Sequence, residues 1–116
     1  MPEPSSSFAE VRFLDRDRII ADLRRAASEA KRQYPEIRRV LLFGSLVRGD
    51  WTADSDADLI VVVRRQFARL LDRSPYQIYV ASMPTDTLVY SEDEFARLSA
   101  GPNSSLAEEL RLAEEL

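Results

Sequence analysis

Residues 40–63 read VLLFGSLVRGDWTADSDADLIVVV. Two apolar runs, 40–43 and 59–63, enclose a polar loop. Gly44 and Ser45 close the first run, and Asp56 and Asp58 open the second. A run of β-prone apolar residues bounded by Gly reads as a buried strand. The stretch is therefore expected to be strand, loop, strand. The strands span 38–43 and 57–63, with a loop or short helical turn over 46–55. The second is apolar on both faces past Asp58, which places it centrally in a sheet.

In an extended segment, residues two apart point to one face, so Asp56 and Asp58 project together. Two close carboxylates raise each other's proton affinity unless a cation lies between them. A divalent cation with hard-oxygen preference satisfies them. Gly44 lets a ligand approach the backbone, and the amides and Ser45 hydroxyl after it can hold phosphate oxygens. Arg48 is a candidate for phosphate or for the carboxylates. Each signal alone is weak. A lone D-x-D is more often a solvated strand entrance.

Working outward, residues 15–34 carry Ile19, Ile20, Leu23, Ala26, Ala27, Ala30 and Tyr34 at spacings of three and four. This is an amphipathic helix, with Asp15 or Asp17 as its cap and Pro35 as its stop. Residues 1–12 are read as a flexible arm and 13–116 as one domain. Residues 65–73 are read as a helix with Phe67, Leu70 and Leu71 inward. Residues 76–83 fit a strand or a helical turn. Residues 84–90 are read as a strand, and 91–98 as a helix opened by a Ser91/Glu94 capping box. After a break at 101–103, residues 104–116 are read as a last helix. It carries a Ser105/Glu108 box and a stripe of Leu106, Leu110, Ala113 and Leu116. The fold class is α/β (α+β): a small mixed sheet flanked by helices.

Composition narrows the chemistry. The 116 residues contain no histidine and no cysteine. That excludes disulfides, thiol nucleophiles and imidazole bases, and leaves carboxylates, hydroxyls, Arg/Lys and bound metal. The net charge of −4 argues against non-specific nucleic-acid binding. The polar N-terminus lacks the pattern of a signal peptide, and no apolar run matches a membrane helix. A cytoplasmic location is expected.

Taken together, Gly44-Ser45, Arg48-Gly49 and Ser55-Asp56-Ala57-Asp58-Leu59 resemble the minimal nucleotidyltransferases of the polymerase-β-like fold. The similarity is close over 40–63 and looser over 17–98. That resemblance implies a third carboxylate on a later strand, and PTDTLVYSEDEF puts it at Asp86. Asp is depleted inside strands, so an acid in this β-prone run needs a reason. The implied reaction is nucleotidyl transfer from a nucleoside triphosphate, with ATP expected. Asp56, Asp58 and Asp86 would hold two Mg²⁺ ions and be catalytic. Gly44, Ser45, Arg48 and Ser55 would bind the nucleotide. Minimal members resemble antitoxins that adenylylate a tyrosine of a HEPN-domain toxin, which makes a HEPN-type protein the expected partner. Self-association stays open. The alternatives are a non-catalytic nucleotide- or partner-binding module, and a small-molecule nucleotidyltransferase. Three candidate carboxylates argue against the first, and the absence of a second domain against the other.

Overall fold

The structure is a computed structural model describing residues 4–52, 54–101 and 105–116, with side chains from Arg16 onward apart from Ser105. Its elements are α1 (Pro4–Gln33), β1 (Ile37–Phe43), α2 (Ser45–Arg48), β2 (Ala57–Val63), a 3₁₀ segment (Leu70–Tyr76), β3 (Thr85–Ser91), α3 (Glu92–Ala100), α4 (Ser105–Leu112) and β4 (Glu114–Glu115). One four-stranded sheet has the order β3-β2-β1-β4. The β1/β2 and β1/β4 pairs are antiparallel, and β2/β3 is parallel. The mixed sheet and the central place of β2 match the sequence expectation.

Each face of the sheet buries a different set of side chains. On one face, Ile19, Leu23 and Ala27 of α1 pack with Val40, Leu42, Leu59, Val61 and Val63. On the other, Phe95 of α3 and Leu106 and Leu110 of α4 cover Leu41, Phe43, Ile60 and Val62. Strand alternation explains the division. One irregularity modifies it: Ile37 pairs Val63 while Arg39 pairs Val62, so Arg38 is an extra, bulged residue. The bulge lets Ile37 and Val40, three apart, share the α1 face.

The α1 stripe packs as expected, and the helix ends before Pro35. Its start differs from 15–34, because the backbone is helical from Pro4. Asp17 is therefore an exposed mid-helix residue and not a cap. The side chain of Asp15 lies outside the described residues, as do the Ser105 cap and residues 102 and 103 of the expected break.

Residues 65–73 do not form the expected α-helix. Phe67 folds onto Tyr76, with ring centroids 5.9 Å apart. Leu70 and Leu71 are 84% and 80% exposed, the reverse of the inward reading. The reason is local side-chain competition for backbone groups. Asp72 accepts from the Arg69 N–H and the Ser74 hydroxyl donates to the Leu71 carbonyl. Pro75 then disfavours α geometry at Ser74.

Residues 77–83 are neither strand nor helix. They run beside β3 through side-chain bonds: Gln77 Nε2 donates to Thr87 O, the Ile78 N–H to Thr87 Oγ1, and Thr85 Oγ1 to Ile78 O. Arg73 Nη1 donates to Val89 O at 2.6 Å. These bonds occupy the outer edge of β3.

The last helix stops at Leu112, four residues before the expected end. Glu114 and Glu115 pair with β1, and the Leu116 N–H donates to Val40 O at 2.8 Å. Acids are poor strand formers, but here cations gather them. Arg39 binds the Glu115 carboxylate through Nε and Nη2, and Lys31 Nζ donates to Leu116 O. Leu116 accordingly packs on the α1 side and not in the α4 stripe.

Candidate active site

The β1–α2 turn and the entrance of β2 face each other because β1 and β2 are antiparallel, with Phe43 opposite Asp58. Gly44 follows at φ 82° and ψ −149°, a region only glycine enters freely. A Cβ there would lie 2.2 Å from Asp58 Oδ2. Gly44 is thus required twice, by its backbone and by the carboxylate against it.

The short helix α2 is closed at both ends. Gly44 O accepts from Val47 and Arg48, and Gly49, in the left-handed region, donates its N–H to Ser45 O. Arg16 Nε of α1 donates to Leu46 O at 3.0 Å. Ser45 starts the helix, and the amides of Val47 and Arg48 are already taken up by Gly44 O.

On the parallel pair, Asp58 is in register with Asp86, so their side chains leave the same face of the sheet. Asp56 precedes Ala57 and is exposed. Asp58 is half-buried, and burial pushes its proton affinity up. The charges of Asp86, Glu109 and Asp56 push it further in that direction, and Arg48 opposes them. Asp56 and Asp86 therefore each lie within electrostatic reach of Asp58.

Two findings modify the expected site. The Ser55 hydroxyl accepts from the Thr52 N–H at 2.9 Å, and the Ser55 N–H donates to Thr52 O. Ser55 is engaged in bracing its own loop. Glu109 of α4 was not singled out by any sequence signal. Arg48 Nη1 donates to Glu109 Oε1 at 2.7 Å, while Arg48 Nε reaches Asp50 Oδ2 at 3.4 Å. The one available clue was position: Glu109 lies beside the Leu106/Leu110 stripe, at the border of the buried face.

The donor chemistry suits a divalent cation. The charges of Asp86, Glu109 and Asp56 act on Asp58, whose ionised form a hard divalent cation would favour. Among the described residues, no three acidic side chains converge on one point as a finished coordination shell. Among the same residues, no helix is long and apolar enough to cross a membrane.

Comparison with known proteins finds relatives of the chain and of its fold. A Methanocaldococcus jannaschii protein named "putative protein adenylyltransferase" is 32% identical over 59 residues. The match covers 51% of this chain and 59% of that protein's length. A crystal structure described as a "putative nucleotidyltransferase" from Sulfolobus solfataricus shares the fold with a TM-score of 0.60. The match covers 73% of this chain and 78% of that one, at 24% identity. The sequence profile of the nucleotidyltransferase domain matches residues 23–114, taking in β1, β2, β3 and the turn at Gly44. A chain matched over that span, with a glycine turn packed on a strand carboxylate, belongs to the nucleotidyltransferase domain family.

Proposed function

We propose that this nucleotidyltransferase transfers AMP from ATP to a hydroxyl side chain of a protein acceptor, in a Mg²⁺-dependent reaction. The observation that carries the reading is the register of Asp58 with Asp86, beside a Gly44 that admits no side chain. It supports a reading in which one acid serves the nucleotide phosphates and the other the attacking group. The name of the M. jannaschii relative supports a protein acceptor. The resemblance to minimal nucleotidyltransferases supports a HEPN-domain toxin as that acceptor, with this chain as the antitoxin.

In this reading Gly44 and Ser45 receive the β- and γ-phosphates at the first turn of α2, and Arg48 adds charge-assisted bonds. Asp56, Asp58 and Asp86 would hold two Mg²⁺ ions, whose chemistry when bound would be to offset charge developing on the phosphates. Asp86 takes the proton of the acceptor hydroxyl. The acceptor oxygen forms a bond to the α-phosphorus as the α–β bridging oxygen departs with pyrophosphate. Ser55 contributes through the shape of the loop.

The test mixes the protein, ATP, Mg²⁺ and the product of the neighbouring gene as candidate acceptor, followed by intact-mass spectrometry. The expected result is a gain of AMP on the acceptor. A folded acceptor that gains nothing, with this protein binding nucleotide and Mg²⁺, would instead support the binding-module alternative.

A further inference from the structure

Glu109 stands on α4, flanked by Leu106 and Leu110, which are packed into the core formed by Leu41, Phe43, Ile60 and Val62. That packing fixes where Glu109 can reach. It reaches Arg48, at 2.7 Å between Nη1 and Oε1, across 61 positions of sequence. From the other side Arg48 Nε meets Asp50. The guanidinium is held between a carboxylate of α4 and one from the loop after α2.

The form of the contact separates holding from blocking. Two other arginine–glutamate pairs of this molecule are two-pronged, while Arg38–Glu92 and Arg111–Glu108 meet through one nitrogen. Arg73 uses Nη1 and Nη2 on the two oxygens of Glu94, and Arg39 uses Nε and Nη2 on Glu115. Those pairs consume the fork of the guanidinium. Arg48 meets Glu109 through Nη1 and Asp50 through Nε, and Nη2 takes part in neither bond. A guanidinium has five N–H donors, so this arrangement restrains the side chain while keeping donors for a third oxygen group. An unrestrained arginine would lose rotamer freedom on binding a phosphate, and a held one has already lost it.

We propose that Glu109 is a positioning residue for the nucleoside triphosphate: it holds the Arg48 guanidinium beside Asp58 so that its remaining donors face the polyphosphate. This rests on the reading that Arg48 meets phosphate. It also gives α4 a part in nucleotide binding, although α4 contributes none of the expected strand carboxylates.

The test is a double-mutant cycle on the full chain with Mg²⁺ and α,β-methylene ATP as the probe, read as Kd by titration calorimetry. Glu109→Ala should weaken binding about three- to tenfold. Glu109→Gln, which keeps the acceptor oxygen, should recover most of that loss. In an Arg48→Ala background, Glu109→Ala should add nothing. Far-UV circular dichroism checks that each variant is folded. Tighter binding by Glu109→Ala would overturn the proposal by making Glu109 a competitor of phosphate. A loss that persists in the Arg48→Ala background would overturn it by showing that Glu109 acts without Arg48. Unchanged binding by Arg48→Ala would remove the phosphate reading of Arg48 itself, and the proposal with it.

Discussion

Asp58 Oδ2 occupies the space where any side chain on Gly44 would begin, 2.2 Å from the Cβ position. The β1–α2 turn and the β2 carboxylate are therefore one packed unit. Gly44→Ala meets two penalties: a positive φ of 82° and a collision with a carboxylate. We expect a loss of about 2–4 kcal/mol in urea denaturation. Nucleotide affinity should fall further than Gly49→Ala lowers it, because a Cβ at Gly49 meets nothing within 4 Å. Equal effects of the two substitutions would show that backbone strain alone matters.

Asp58 sets a pH dependence of defined sign. Its folded-state proton affinity is raised by burial first, then by Asp86, Glu109 and Asp56. A raised carboxylate stabilises the fold fully below its unfolded pKa of 3.8, and that contribution is lost as pH rises through the higher folded value. At pH 7 the charged group is a cost. Asp58→Asn should therefore raise the Tm at pH 7 in chelator while abolishing transfer. Mg²⁺ should raise the Tm of the wild-type protein and not that of the variant. A lower Tm for Asp58→Asn at pH 7 contradicts the sign.

Glu94 behaves oppositely. Arg73 and the Ser91 N–H hold its carboxyl down to about 2 from 4.5. A depressed carboxylate stabilises the fold above its unfolded pKa, and this is lost as pH falls from 4.5 through about 2. Glu94→Gln should cost about 1–2 kcal/mol at pH 7, allowing for the partial exposure of the pair. The difference from wild type should shrink towards pH 2 in acid denaturation curves.

The exposed leucines offer a control on the 3₁₀ segment. Leu70→Ser and Leu71→Ser should each change stability by less than about 0.5 kcal/mol. Leu59→Ala, in the fully buried middle strand, should cost about 2–5 kcal/mol. A large loss at Leu71 in a monomeric sample would restore the inward helix expected from spacing.

How much of this was legible in the sequence depended on how local each cause is. The strands at 37–43 and 57–63 and the turn at Gly44 follow from apolar runs and a glycine. Asp86 follows from the resemblance of PTDTLVYSEDEF to the family pattern, with an acid in a β-prone run as support. The Ser91/Glu94 box was visible as a spacing and is formed, with bonds of 2.8 and 3.2 Å. Residues 65–73 misled because Phe67, Leu70 and Leu71 mimic a helical stripe, while Asp72, Ser74 and Pro75 favour a tighter turn. Residues 114–116 misled because the stripe continues past the helix, and only the free edge of β1 with Arg39 and Lys31 makes a strand there. Glu109 was not legible as a site residue. Its contact with Arg48 depends on where α4 docks, 61 positions along the chain.

The central claim is nucleotide transfer at the acids gathered around Asp58. The most direct measurement is label transfer from α-³²P-ATP to the acceptor protein, comparing wild type with the Asp56→Asn/Asp58→Asn variant at matched circular dichroism. The account predicts Mg²⁺-dependent labelling by the wild type and none above background by the folded variant. Undiminished labelling by the variant would contradict it.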